Sequence, residues 1–175
     1  AWRVEDKFSR YRPGNVVAKI NESDGQVVTV DDETANLLDF SATLYELSER
    51  RFDITSGVLR KVWNFDGSDR VPTAASILQI MDSIGWHRVS WQRPQIRLQR
   101  GMQVDLGGIG KEYAVDQAAS QVKQQTSCPC LINFGGDLSA TGDIRQPDGW
   151  QVGIEAPDRE GTAQKLIALR AGALA

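Results

Sequence analysis

Apolar residues recur along this chain in two rhythms, one helical and one strand-like. Leu37, Leu38, Leu44 and Tyr45 fall on one face of a helix, with Ser41 and Ser48 on the same stripe. Asp31 and Asp32 stand just before it and suit its N-cap. Ile77, Ile80, Met81 and Ile84 repeat at i, i+3, i+4 and i+7; Pro72 and Thr73 open that second helix and Gly85 stops it. A third helix starts at about Lys111, after a turn over Gly107–Gly110, and turns Val115, Ala118, Ala119 and Val122 inward. Short strand-like runs lie between: Val16–Ile20 and Gln26–Val30, separated by the turn-rich Asn21–Gly25, then Trp86–Trp91, Gln95–Gln99 and Met102–Leu106. After the third helix come Cys130–Phe134, Leu138–Gly142, Trp150–Glu155 and Lys165–Arg170. Gly25, Gly101 and Gly149 mark tight turns. Helices grouped among hairpin-like strands, with no repeat and no linker, predict an α+β fold in a single domain over residues 1–175.

Composition narrows the function. The 175 residues suffice for one domain, and 41% hydrophobic with 25% charged is ordinary for a globular chain. A net charge of −3 without a basic stripe argues against nucleic acid as a partner. No apolar run approaches the roughly 18–20 residues that cross a bilayer. The chain opens at Ala1 rather than Met and reads as a piece of something longer, so a missing export signal says little of location. Cys128 and Cys130 point to opposite faces of a strand and are too few for zinc; they read as free thiols. His87 is the one histidine, which excludes a two-histidine zinc helix, and no Gly-x-Ser-x-Gly elbow supports a serine triad.

Most chemistry lies in Val104-Asp-Leu-Gly-Gly-Ile-Gly-Lys-Glu-Tyr-Ala-Val-Asp116. A strand entering a helix through glycines gathers unpaired N–H groups and the positive helix end, which suits a phosphate. Lys111 adds a mobile cation, and Asp105 points to the same mouth. A plain strand–helix connection, with glycine for tight packing, fits the spacing equally well. The P-loop fails, because Asp105 stands where its first glycine belongs and Glu112 follows Lys111. The Rossmann fingerprint fails at Tyr113.

This block resembles the Asp-Leu-Gly-Gly-Ile-x-Lys-Gly-Tyr-Ala-x-Asp segment of ApbE proteins, the FAD:protein FMN transferases. Phe8-Ser-Arg-Tyr11 with Ile20-Asn21, Phe52-Asp-Ile-Thr55 with Trp63-Asn-Phe65, and Leu131-Ile-Asn-Phe-Gly-Gly-Asp137 resemble three further blocks of that family in the same order, with Gly142 and Trp150 following. The resemblance implies mixed and antiparallel sheets with helices packed on them. It implies an FAD site lined by Tyr11, Arg51, Phe52, Asp53, Asp105 and Lys111, and Mg²⁺ held by the Gly108 carbonyl. Trp63 and Phe65 are assigned to the core, while Asp53 also reads as a helix cap and Asn133–Asp137 as a strand end and turn.

The implied reaction is Mg²⁺-dependent transfer of the FMN half of FAD to a Thr or Ser hydroxyl of a target protein, with AMP leaving. The implied partners are flavin-accepting subunits of bacterial membrane redox complexes. Relatives usually face the periplasm, anchored to the inner membrane. The alternatives are a flavin-binding module without catalysis and a hydrolase that splits FAD into FMN and AMP. Three departures stand out: Glu112 where the family has Gly, Arg50 and Arg51 where it often has Gly and a small residue, and Asn15 for a frequent Ser. Relatives also carry a Met-Gly-Thr strand before the region matching Ala1, and a helix with metal-binding Asp and Thr after the region matching Ala175. The resemblance therefore implies a domain incomplete at both ends, and for the isolated piece no tight Mg²⁺ binding and no turnover.

Overall fold

The computed structural model describes residues 1–64, 66–144 and 149–175. Phe65, expected in the core, lies outside the described residues. The chain separates into two compact units, residues 2–109 and 110–175.

The first unit carries α1 (Trp2–Phe8), α2 (Val16–Asn21), β1 (Val28–Thr29), α3 (Asp32–Leu47), α4 (Ala74–Met81), β2 (Ser90–Gln92) and β3 (Gln95–Arg97), with 3₁₀ segments at Ile54–Lys61 and Trp86–Arg88. Its sheet is antiparallel in the order β1–β3–β2, with Ile96 opposite both Val28 and Trp91. Asp31 caps α3 as expected, its carboxylate accepting the Thr34 N–H at 2.9 Å. Leu37, Leu38, Ser41 and Tyr45 form the buried face of α3 together with Thr34 and Ala35. Thr73 caps α4, but that helix ends at Met81 and buries none of its residues; Ile77 and Ile80 are half-buried and Leu78 is exposed. Gly85 instead precedes the turn at Trp86, with φ at 137°.

Three strand expectations change here. Val16–Ile20 is helical. The Asn15 side chain accepts the Ala18 N–H at 2.9 Å and starts a turn that buries Val17 and Ile20, three residues apart. Ser would cap in the same way, so the Asn15 departure preserves the cap. Trp86–Trp91 begins as a 3₁₀ turn and becomes a strand only at Ser90. Met102–Leu106 is extended and buries alternate side chains, Met102, Val104 and Leu106, yet it joins no sheet. The Asn21 amide takes the place of a neighbouring strand, accepting the Val104 N–H at 2.7 Å and donating to the Val104 carbonyl at 3.0 Å. The Asp105 N–H donates to the Ile54 carbonyl at 2.8 Å.

The third helix, α5 (Gly107–Gln125), starts at Gly107 rather than Lys111, so the glycines form its first turn. It runs into the second unit, where Ala114, Val115 and Ala119 are buried. There β4 (Leu131–Phe134), β5 (Asp137–Ala140) and β8 (Gly172–Leu174) make an antiparallel sheet in the order β4–β5–β8. β6 (Trp150–Ala156) and β7 (Arg159–Leu169) make a separate two-stranded ladder with a register irregularity around Glu155. Among the described side chains of that hairpin only Val152 is buried. The Trp150 indole donates to the Gly142 carbonyl at 3.0 Å. Cys128 and Cys130 are free thiols. The fold is α+β.

Candidate functional site

A cavity of about 610 Å³ opens in the first unit, lined by nine residues of the stretch from Arg51 to Trp63 together with Asp105 and Gly108. Arg51, Phe52, Asp53, Asp105 and Gly108, five of the seven residues singled out from the sequence, meet there. The end of α3 places Phe52, whose N–H donates to the Ser48 hydroxyl at 2.8 Å. Gly108 lets the ring approach: a Cβ there would lie 3.1 Å from Phe52 Cε2. Arg50, just upstream, holds a left-handed φ of 69°, a conformation that favours glycine.

Both pocket carboxylates are engaged by the protein itself. Asp53 caps the 3₁₀ segment: Oδ1 accepts the Thr55 N–H and hydroxyl at 2.8 and 2.6 Å, and Oδ2 accepts the Trp86 N–H at 3.0 Å. The Thr55 hydroxyl in turn accepts the Gly85 N–H at 2.7 Å, so one buried threonine ties two turns together. Asp105 Oδ1 accepts the Gly107 N–H at 2.9 Å, and Oδ2 accepts from Arg10 at 3.2 Å. The helix start is thus partly self-satisfied, since the Ile109 N–H also donates to the Leu106 carbonyl. Basic charge in the wall comes from Arg60 and from Arg51, the latter in an exposed pair with Glu49 at 3.4 Å.

Two expected residues lie outside the lining. Tyr11 is 67% exposed, and its ring carries the guanidinium of the wall residue Arg60 at 4.7 Å. Lys111 belongs to the second unit, where it pairs with Asp137 at 2.8 Å. That contact raises the Lys111 pKa above 10.5, first through its hydrogen bond and then through the charge of Asp137. Asn133–Asp137 forms a hairpin turn, closed by the Gly136 N–H on the Asn133 side chain at 2.9 Å. Trp63, assigned to the core, is half-buried and lines the cavity instead; its N–H donates to the Leu59 carbonyl at 2.9 Å. Sequence reasoning missed Arg10, Gly57 and Arg60. Arg10 stands inside the quoted Phe8-Ser-Arg-Tyr11 block, which was the available signal; Gly57 and Arg60 follow Thr55 closely but carry no motif.

The ApbE family matches residues 1–175. The chain belongs to the ApbE family. Curated relatives include the FAD:protein FMN transferase of Klebsiella pneumoniae, 30% identical over 179 residues that cover 94% of this chain and 51% of that protein. That of Chlamydia pneumoniae is 29% identical over 88% of this chain and 50% of the relative. The crystal structure of the ApbE protein from Thermotoga maritima superposes with a TM-score of 0.87 at 30% identity, covering 98% of this chain and 57% of that one. The Pseudomonas stutzeri flavinyl transferase ApbE gives a TM-score of 0.79 at 28% identity over 97% of this chain and 54% of that structure. The chain spans about half the length of the curated relatives it matches.

An ApbE protein is expected to hold Mg²⁺, which needs several hard oxygen ligands. The donors at this cavity do not fit one. Asp53 and Asp105 are both engaged in caps and an ion pair, which leaves the neutral Gly108 carbonyl. Among the described residues there is no group of three or more His, Cys, Asp or Glu placed to hold a metal. No described helix is long and apolar enough to cross a membrane.

Proposed function

We propose that this chain provides the flavin-nucleotide pocket of an FAD:protein FMN transferase, as part of one domain that extends past both ends of residues 1–175. The observation that carries this reading is the convergence of Arg51, Phe52, Asp53, Asp105 and Gly108 on one cavity. They come from two ApbE-like blocks about fifty residues apart in the sequence, and their meeting at one opening is what a ligand site needs.

In the proposed reaction, the hydroxyl oxygen of a target Thr or Ser bonds to the FMN-side phosphorus of FAD. The bridging P–O bond breaks, AMP leaves with the electron pair, and the hydroxyl proton is released. The acceptor brings its own nucleophile, so the enzyme's work is positioning and charge neutralisation. Phe52 and, by the resemblance, Tyr11 offer flat faces to a ring system. Arg51 offers charge to the phosphates, and the resemblance assigns Lys111 the same task. The Mg²⁺ that the resemblance implies would find only the neutral Gly108 carbonyl among this chain's donors, and charge neutralisation is assigned here to Arg51 and Lys111. The partners are flavin-accepting subunits of bacterial membrane redox complexes.

The test is covalent flavin. The full-length protein is incubated with FAD, Mg²⁺ and an acceptor subunit, and the acceptor is read by in-gel flavin fluorescence and by its gain in mass. A fluorescent acceptor band with equimolar AMP supports transfer. FMN and AMP released with no labelled acceptor would make the protein a hydrolase. No flavin bound at all would leave the cavity without its proposed ligand.

A further inference from the structure

The turn from Asn133 to Asp137 holds one carboxylate still. Gly135 and Gly136, with φ of 66° and 105°, form a two-residue loop between Phe134 and Asp137, which face each other across the ladder. The Asn133 side chain accepts the Gly136 N–H at 2.9 Å and closes the loop. Asp137 then opens β5, the middle strand of its sheet, in which every residue is buried. Its side chain is 10% exposed, a costly place for an unpaired charge. The Lys111 ammonium meets it at 2.8 Å, and among the described residues no other cation pairs with this carboxylate. The two ends of the pair differ. The Lys111 side chain is 60% exposed, so its ammonium gives one N–H to Asp137 and keeps the others for a second acceptor. An exposed lysine without such an anchor spreads over many rotamers, and its charge has no fixed place. Glu112, next along α5, adds a second negative charge near Lys111, but acts on it less strongly than Asp137.

We propose that Asp137 is a positioning residue: it fixes the place of the Lys111 ammonium, which the proposed function gives to the phosphates of the flavin nucleotide. This deepens the proposed function and rests on it. A cation already in place needs no rearrangement when charge moves onto the pyrophosphate, so its position counts most in the transition state. Loss of the Asp137 charge leaves Lys111 charged but unanchored. Binding then changes little, and turnover falls.

A double-mutant cycle on the full-length protein tests this, built from Asp137→Asn, Lys111→Met and the double variant. FAD affinity is read by flavin fluorescence, transfer to an acceptor subunit at saturating FAD by in-gel fluorescence, and each variant is melted in parallel. Asp137→Asn is expected to bind FAD within about threefold of the parent and to transfer roughly tenfold more slowly. Lys111→Met is expected to weaken binding and transfer together. In the double variant the Asn is expected to slow transfer no more than about twofold beyond Lys111→Met alone. Asp137→Glu keeps the charge and moves it by one methylene; it is expected to show the same split and serves where Asn is not tolerated. Labelling of Lys111 by acetic anhydride, followed by mass spectrometry, reads the pair without any flavin and is expected to run several-fold faster in Asp137→Asn, roughly in proportion to the freed amine. Equal labelling and equal transfer in Asp137→Asn and the parent would overturn the proposal. So would a further tenfold loss in the double variant, which would show that Asp137 acts apart from Lys111. A transfer rate that falls only alongside a collapsed melting temperature would make Asp137 structural. If the parent labels no acceptor, the proposed function fails; if the parent transfers and the effects multiply, only the positioning role does.

Discussion

Residues 2–109 and residues 110–175 satisfy their backbone groups by different means. In the first unit, side chains do much of the work of a sheet. Asn21 stands in for a strand along Val104, Asp53 caps Thr55 and Trp86, Thr55 receives Gly85, and Asp105 receives Gly107. The second unit relies on continuous ladders, from Trp150 opposite Leu169 to Ala156 opposite Arg159, and from Leu131 opposite Ala140 to Phe134 opposite Asp137. A ladder spreads its stabilisation over many similar bonds, so no single side chain is indispensable. A side-chain clamp concentrates it in one residue type at one position. The cavity lies in the clamped unit, and there the carboxylates that the resemblance assigns to the nucleotide are holding backbone.

The sharpest way to break this contrast is Asn21→Leu. It strips both backbone groups of the buried Val104 of their half-buried partner, and is expected to cost about 2–4 kcal/mol of stability in urea unfolding. A loss below about 1 kcal/mol would show that water or a shifted neighbour replaces the amide. Next is Arg50→Gly. It removes a bulky residue from a left-handed conformation and is expected to raise stability by about 0.5–1 kcal/mol, read as an upward shift in melting temperature. A drop would mean that the Arg50 side chain contributes more than its backbone strain costs.

A smaller effect depends on pH. The hydrogen bond from Lys7, then that from the Thr34 N–H, hold the Asp31 pKa below 3.8. Its charged form therefore stabilises the fold well above pH 3.8, and that contribution disappears as the pH falls through the lowered folded value. Burial opposes the Lys7 charge, but hydrogen bonds to Asp31 and Glu33 outweigh it and hold its pKa above 10.5, so this side of the pair fails only in strong alkali. Asp31→Asn keeps the cap and removes the charge. It is expected to flatten the acid limb of the melting-temperature profile by no more than about 0.5 kcal/mol, since half of the Asp31 side chain is exposed. The smallest change is expected in the ladder region. Leu166→Lys, at an exposed position of β7, is predicted to stay within about 0.5 kcal/mol of the parent. Hydrogen exchange on the same sample extends the comparison: β6–β7 amides should exchange by local opening, ahead of the amides around Val104.

The helices α3 and α5 were legible because sixteen and nineteen residues give several turns of pattern, and because Asp31 is a strong cap. Val16–Ile20 was not, since five residues, four of them apolar, read equally as helix or strand and the Asn15 cap decides between them. Met102–Leu106 shows the reverse: its alternation correctly marked which side chains are buried, while its hydrogen-bond partner, Asn21, lies some eighty residues away. The ordered blocks picked out five cavity residues, but could not say which of those residues would be tied up in the wall.

The amino-acid sequence by itself determined the α+β class, the caps at Asp31 and Thr73, the tight glycine turns and the family, because these depend on neighbours within a few residues or on ordered motifs. Only the tertiary structure decided that Trp63 faces the cavity rather than the core, that Lys111 is paired with Asp137, and that Arg10 is paired with Asp105. Each of these depends on groups brought together from distant parts of the chain, where angles of approach and distances of about 3 Å decide who bonds to whom.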